Sequence, residues 1–235
     1  MILPLIVLTL SACSSSVKQY VKSNVVMITN EAQNGGGTGF HIVSPTTGKT
    51  YVMTNAHVCL GVQNSAGMVW VSTDKLDRAV PKRVIEVSKE TDVCLVEPVY
   101  SRGGLRLGDD PEVGDMVTSY GHPHLIPTVA SVGEVLKKLD IELVDHEITD
   151  DASRASCSGP KFRIFDVDSF FGKATLCLVK VASVQTNIIT YPGNSGSPVV
   201  DSNGAVVGII FAGEQSMNHG FFIEAHFLRD FLKAY

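Results

Sequence analysis

The sequence predicts an all-β protein folded as two closed antiparallel barrels, with a single helix at its C-terminal end. Short runs rich in Val, Ile, Thr and aromatic residues recur along the chain between Gly, Pro, Asn and Asp punctuation, which is the texture of strands joined by turns. So many short antiparallel segments call for closure, because an open sheet leaves unpaired edges. The chain has 235 residues, 44% apolar and 18% charged, enough to bury one large core or two smaller ones.

The first twelve residues, Met-Ile-Leu-Pro-Leu-Ile-Val-Leu-Thr-Leu-Ser-Ala, are an apolar run shorter than the roughly 20 residues that span a bilayer as helix. They read as the core of an export signal, although no Lys or Arg precedes them. Leu10-Ser11-Ala12-Cys13 and the run Ser14-Ser15-Ser16 then resemble the lipobox of bacterial lipoproteins, in which the Cys is lipidated and becomes the new N-terminus. This gives a signal peptide with lipobox over 1–13 and a linker over 14–24.

Strands are expected at 25–29, 39–43, 51–54, 69–72, 83–87 and 93–97 in a first barrel spanning 25–112. The turn formers Gly108-Asp109-Asp110-Pro111-Glu112-Val113-Gly114 mark its end. Further strands are expected at 116–120, 131–136, 176–184, 199–201, 206–211 and 221–224 in a second barrel spanning 113–235. Between them the polar stretch 140–172 reads as an extended surface loop or hairpin. After Ala225, the spacing of Phe227, Leu228, Phe231 and Leu232 fits one face of a helix.

The formal net charge of −5, from 19 basic and 24 acidic residues, offers no basic field for a phosphate backbone, so no nucleic-acid partner is expected. Apart from Cys13, four cysteines remain: Cys59, Cys94, Cys157 and Cys177. Their pairing is open; Cys157 and Cys177 flank a stretch that a bridge could close, while Cys59 and Cys94 read as small core hydrophobes. No Cys/His spacing resembles a metal site, and no cofactor is expected. His122-Pro123-His124 reads as a solvent turn, His219 as a loop residue, and Asp145, Glu147, Asp150 and Asp151 as a solvated surface, since they lack the spacing of a calcium loop.

The chemistry concentrates in three segments. In Tyr191-Pro192-Gly193-Asn194-Ser195-Gly196-Ser197-Pro198 a serine stands between glycines that let the backbone approach a substrate closely. Thr54-Asn55-Ala56-His57-Val58 places an imidazole at a strand end. Thr91-Asp92-Val93-Cys94 places a carboxylate at the mouth of an apolar strand, where burial without a donor would be costly, and a His Nδ1–H is the fitting partner.

With Gly37-Thr38-Gly39-Phe40, these blocks resemble the signature segments of the chymotrypsin-fold serine proteases, in the family's order of His, Asp and Ser. The similarity is greatest to the bacterial HtrA-type and glutamyl-endopeptidase-type branches and runs from about residue 25 to the C-terminus, weakest over 140–172. It implies two six-stranded antiparallel β-barrels with a short C-terminal helix, and a serine endopeptidase acting on proteins or peptides; the N-terminal signal and lipobox place it in the periplasm or extracellular space, with membrane attachment through a lipidated Cys13 as the expectation. It further implies Ser195 as nucleophile, His57 as general base, Asp92 as orienting carboxylate, and the N–H groups of Gly193 and Ser195 as an oxyanion hole.

The same resemblance makes Ile189, Thr190, Tyr191, Ile210, Phe211, Ala212 and Gly213 the walls of the specificity pocket. Ile189 offers no carboxylate for a Lys or Arg side chain, and Ile210 stands where the glutamyl-specific branch places a His. The expected preference is for small or apolar side chains. The chain ends after its helix, so the PDZ domain of HtrA-type proteins is not expected. Two other readings are weighed beside this one: a non-catalytic protease-fold lipoprotein that acts as a binding module, and an esterase.

Overall fold

The computed structural model describes residues 5–74, 78–100, 103–169 and 172–235. The first four residues of the expected export signal lie outside this range.

The first half forms a closed barrel in the order β1-β2-β3-β6-β5-β4. Its strands are β1 (Val25–Thr29), β2 (Gly36–Val43), β3 (Thr50–Thr54), β4 (Met68–Ser72), β5 (Val80–Ser88) and β6 (Val93–Val96). Val26, Ile28, Val52, Val69, Val71 and Val96 fill the interior, as β-branched residues do on a pleated, enclosed surface. Between β3 and β4 runs a short helix, α2 (Ala56–Val62), where the sequence pointed only to a strand end.

The second half is a sheet in the order β13-β12-β11-β7-β8-β10-β9. It comprises β7 (Met116–Gly121), β8 (Val129–Glu147), β9 (Phe162–Ser169), β10 (Gly172–Thr186), β11 (Pro198–Val200), β12 (Val206–Glu214) and β13 (His219–Glu224). β13 also pairs with the end of β10, Val184 opposite Phe222. Val117, Val135, Val184, Ile188, Val199, Ile210 and Phe222 form its core. The C-terminal helix α4 (Ala225–Leu232) buries Ala225, Leu228 and Leu232.

The chain divides into two compact units: Met1–Lys137 with Val184–Tyr235, and Lys138–Ser183. The smaller unit corresponds to the stretch read as loop or hairpin. It holds the later part of β8 and the earlier part of β10, the strand β9 and a short helix α3 (Asp151–Ser156). Asp150, one of the four acidic residues expected at a solvated surface, caps α3 by accepting from Ser153 N–H at 2.7 Å. Cys157 and Cys177 are bridged within this unit.

The region read as a linker is different. A helix α1 runs over Leu5–Asn24, and its last turns are packed rather than free. Val21 is fully buried, a β-carbon at Gly204 would lie 3.0 Å from Val17 and 3.1 Å from Val21, and Tyr20 donates its hydroxyl to Gly104 O at 2.6 Å. Apolar side chains one turn apart thus hold the segment against the β11–β12 turn.

Two histidines of the larger unit, His41 and His122, are buried, and burial pushes both below their ordinary 6.5. His41 Nδ1 lies 3.3 Å from Asn24 O, and its Nε2 accepts from Val99 N–H at 3.3 Å, so the neutral ring fills both positions and a second proton would face a donor. The unfolded chain takes up protons on these rings near pH 6.5 while the folded protein resists them, so stability is lost as pH falls through 6.5. Urea unfolding at about pH 7.5 and about pH 5.5 should show the lower midpoint at the acidic value, and His41→Gln should shrink the difference.

Candidate active site

The pairing of β3 with β6 sets Thr54 opposite Cys94. Three residues beyond Thr54, His57 occupies the first turn of α2; two residues before Cys94, Asp92 ends the turn that enters β6. The strand register therefore delivers both side chains to the same rim of the barrel. Asp92 adopts φ +48°, a left-handed conformation that Asp tolerates better than bulkier residues. Its Oδ1 accepts the His57 backbone N–H at 2.9 Å, and its Oδ2 lies 2.8 Å from His57 Nδ1. Asn55 fixes the same turn by donating Nδ2–H to Asp92 O at 3.0 Å.

This arrangement places the imidazole proton on Nδ1 and leaves Nε2 basic. The His57 side chain is 48% exposed and that of Asp92 only 13%, so the carboxylate sits behind the ring and the ring faces solvent. Cys59 and Cys94, read from the sequence as separate core hydrophobes, are bonded to each other. Both sulfurs are fully buried, so the expected burial holds while the bond clamps α2 to β6 beside the His–Asp pair.

Ser195 lies on a tight turn that leads into β11. Asn194 N–H donates to Tyr191 O at 2.9 Å, Ser197 N–H to Asn194 O at 3.0 Å, and Gly196 N–H to Ile210 O at 2.8 Å. Gly193 and Gly196 take φ +96° and +86°, which only glycine adopts at little cost. A β-carbon at Gly196 would fall on Thr38 O and Thr54 Oγ1, so backbone approaches backbone there with no room for a side chain.

The start of β2 carries this turn to the His–Asp pair. Thr38 N–H donates to Ser195 O at 2.8 Å, and a β-carbon at Gly37 would lie 2.8 Å from Ser195 O and 2.9 Å from Val58 Cγ2. Ser195 is thus brought beside the residue that follows His57. Among the described residues, no hydrogen bond joins Ser195 Oγ to His57, and no acceptor is presented to the N–H of Gly193 or of Ser195.

Residues 37–209 match the model of the trypsin-like peptidase domain. The chain belongs to the trypsin-like peptidase family. Its activity class is that of a serine endopeptidase, and its substrates are proteins or peptides.

Many solved structures share the fold of this trypsin-like peptidase, among them three proteases. The Rv3671c protease from M. tuberculosis, in its active form, has a TM-score of 0.64 at 21% identity, covering 92% of this chain and 82% of its own. The serine endoprotease from Yersinia pestis has a TM-score of 0.62 at 16% identity, covering 94% of this chain and 66% of its own. The HtrA-type protease AlgW, solved with a tripeptide, has a TM-score of 0.64 at 16% identity, covering 94% of this chain and 62% of its own. Among curated proteins no sequence matches the chain.

Beside Ser195 the peptidase has a cleft of about 200 Å³ lined by Thr190, Tyr191, Pro192, Asn194, Ser195, Ile210, Ala212 and Gly213. Five of the seven residues expected at the specificity pocket therefore line one cleft. Ile189 and Phe211 lie outside this lining: Ile189 is exposed and Phe211 buried. Ile210 and Ala212 line the cleft while Phe211 between them does not, as the alternation of side chains along a strand directs; the register of β12 against β13 shifts between Ile210 and Ala212. No lining residue carries a charge.

Two readings of histidines are corrected. His122, read as part of a solvent turn, is 1% exposed; its Nδ1 lies 2.9 Å from Ile126 O. His219, read as a loop residue, opens β13 and meets Gln185 at 2.6 Å. Asp110, Glu224 and His226 form a further group whose polar atoms lie within 4.8 Å of one another. There Asp110 accepts His226 N–H at 2.9 Å and faces His226 Nδ1 at 2.7 Å, which caps the first turn of α4.

Sequence reasoning named the serine, histidine and carboxylate but missed Thr38 and Asn55. The signal available for Thr38 was its place between two glycines in Gly37-Thr38-Gly39, where a side chain of that size stands out. Replacement of Gly196 by Ala combines a left-handed backbone with a direct clash, and is expected to lower stability by about 3 kcal/mol or more. A urea unfolding curve with its midpoint unchanged would contradict this packing.

Proposed function

We propose that this peptidase hydrolyses peptide bonds through Ser195, His57 and Asp92, with a preference for small or apolar side chains on the acyl side of the bond. The observation that supports it best is the two-point grip of Asp92 on His57, which leaves Nε2 as the free base at the rim where Ser195 is held. Hydrogen bonds between nucleophile and base are often long in an empty site and tighten on substrate, so the missing Ser195–His57 bond is compatible with this role.

Ser195 Oγ adds to the scissile carbonyl carbon while His57 Nε2 takes its proton, and the carbonyl oxygen becomes an oxyanion. The N–H groups of Gly193 and Ser195 are the donors in place for it, each such donor being worth about 10²- to 10³-fold in rate. His57 then returns the proton to the leaving amine, giving the acyl-enzyme, and water reverses the sequence to release the acid. Asp92 keeps the imidazole in the productive tautomer and offsets its transient charge. The uncharged cleft walls support an apolar preference, because a charged side chain would be desolvated there without a partner.

The same proposal places the enzyme outside the cytoplasm, attached to a membrane surface through lipidated Cys13. The apolar run before Leu10-Ser11-Ala12-Cys13 supports this, and so do two disulfides, which persist in oxidising compartments.

Wild-type protein is expected to be labelled stoichiometrically by a fluorophosphonate, and Ser195→Ala and His57→Ala to be unlabelled. Asp92→Asn should reduce peptide cleavage by at least ~10³-fold. A folded wild-type protein that resists the reagent would favour the binding-module reading instead. In a bacterial host, palmitate should be incorporated into the wild type and not into Cys13→Ser; equal incorporation would remove the lipidation proposal.

A further inference from the structure

Thr38 lies at the start of β2, is fully buried, and has every polar atom engaged with the nucleophile turn or its support. Its N–H donates to Ser195 O at 2.8 Å. Its carbonyl accepts from Thr54 Oγ1 at 2.6 Å. Its hydroxyl accepts from His122 N–H at 2.9 Å and lies 2.7 Å from Gly193 O. Because His122 N–H occupies an oxygen lone pair, the Thr38 hydroxyl proton is directed to the Gly193 carbonyl.

Three successive peptide planes then have fixed carbonyls. His124 N–H donates to Pro192 O at 2.6 Å, Thr38 Oγ1–H to Gly193 O, and Ser197 N–H to Asn194 O at 3.0 Å. A trans peptide is planar, so fixing a carbonyl also fixes the N–H of the next residue, which points the opposite way. The first plane aims the Gly193 N–H and the third aims the Ser195 N–H. The middle plane sets the angle between them; glycine at 193 has almost no intrinsic preference to hold it, so it is held from its two ends, by Tyr191 O accepting the Asn194 N–H at 2.9 Å and by the Thr38 hydroxyl at the Gly193 carbonyl.

We propose that Thr38 is the positioning residue of the oxyanion-stabilising turn, its hydroxyl relaying the His122 N–H to the Gly193 carbonyl and so holding the Gly193 and Ser195 N–H groups convergent. This rests on the hydrolytic role proposed for Ser195. Thr38 touches no substrate atom and acts only through the peptide plane it holds. The resulting loss should appear in the tetrahedral state, where charge builds on the oxyanion, more than in substrate binding.

The test compares wild type, Thr38→Val, Thr38→Ser and Ser195→Ala on a peptide anilide with Ala before the scissile bond, together with inhibition by the matching peptide boronate. Thr38→Val should lower kcat by about 10- to 100-fold with KM within about 3-fold, and weaken the boronate by a similar factor. The pH midpoint of kcat/KM should not move, because His57 and Asp92 are untouched. Thr38→Ser, which keeps the hydroxyl, should recover most of the lost kcat. If Thr38→Val unfolds at the assay temperature, Thr38→Ala provides the hydroxyl-free variant.

Unchanged kcat and boronate affinity in a hydroxyl-free variant would overturn the inference, as would a Thr38→Ser enzyme as slow as Thr38→Val. Wild type no more active than Ser195→Ala is a separate outcome: it overturns the hydrolytic reading itself, and this inference falls with it.

Discussion

The antiparallel register of β3 against β6 is the constraint on which the site depends. Thr54 opposite Cys94 decides where β3 ends relative to where β6 begins, and therefore that His57 and Asp92 emerge at one rim. A slip of one residue would reverse the facing of every side chain on the strand, turning Val52 out of the core and separating the pair. The closed order β1-β2-β3-β6-β5-β4 protects this register, because a barrel has no edge along which a strand can slide. The Cys59–Cys94 bond adds a covalent tie at the same place. Stability of the barrel and geometry of the proposed site are thus one requirement.

Much of this was legible because it obeys local rules. Alternating and β-branched runs marked every strand of the first barrel, and the Gly-flanked Ser195, the strand-end His57 and the strand-mouth Asp92 each looked costly or exposed without a partner. Other features escaped for physical reasons. Helix α1 is held by Val17 and Val21 against Gly204 and by Tyr20 against Gly104, contacts over some of the longest separations in the chain that local periodicity cannot report. His122 resembled a solvent turn because Pro123 beside it is a turn former. Its N–H is held at 2.9 Å by the hydroxyl of Thr38, distant in sequence. The Cys59–Cys94 bond escaped because each cysteine alone is also an adequate small apolar residue.

The stretch 140–172, read as a loop or hairpin, shows a different limit. Its polar composition set it apart and Cys157 and Cys177 were open to a bridge, yet no strand was assigned where β9 runs. Phe162-Arg163-Ile164-Phe165-Asp166-Val167-Asp168 mixes charge with apolar residues and lacks the regular alternation of a half-buried strand. Among the described residues it pairs with β10 alone. Arg163 and Asp166 along its length are the kind of charge that keeps such a strand from recruiting another chain, and Arg163 is also paired with Glu142 at 2.6 Å.

A comparison within the chain shows what makes a His–Asp pair a candidate for chemistry. His57 and His226 both follow an alanine at the start of a short helix, and both are gripped twice by an Asp, through the backbone N–H and through Nδ1, at nearly the same distances. The grip is therefore a way of fixing a helix N-terminus, in which the carboxylate satisfies an otherwise orphaned donor and the ring fills its second oxygen. By itself it predicts no reaction. What sets the first pair apart is the start of β2, where Gly37 leaves space for the Ser195 carbonyl and Thr38 binds that carbonyl and the one at Gly193. The chemistry proposed for the site thus arises from a common capping device only where a second element delivers a serine to it whose own N–H, with that of Gly193, meets no acceptor among the described residues.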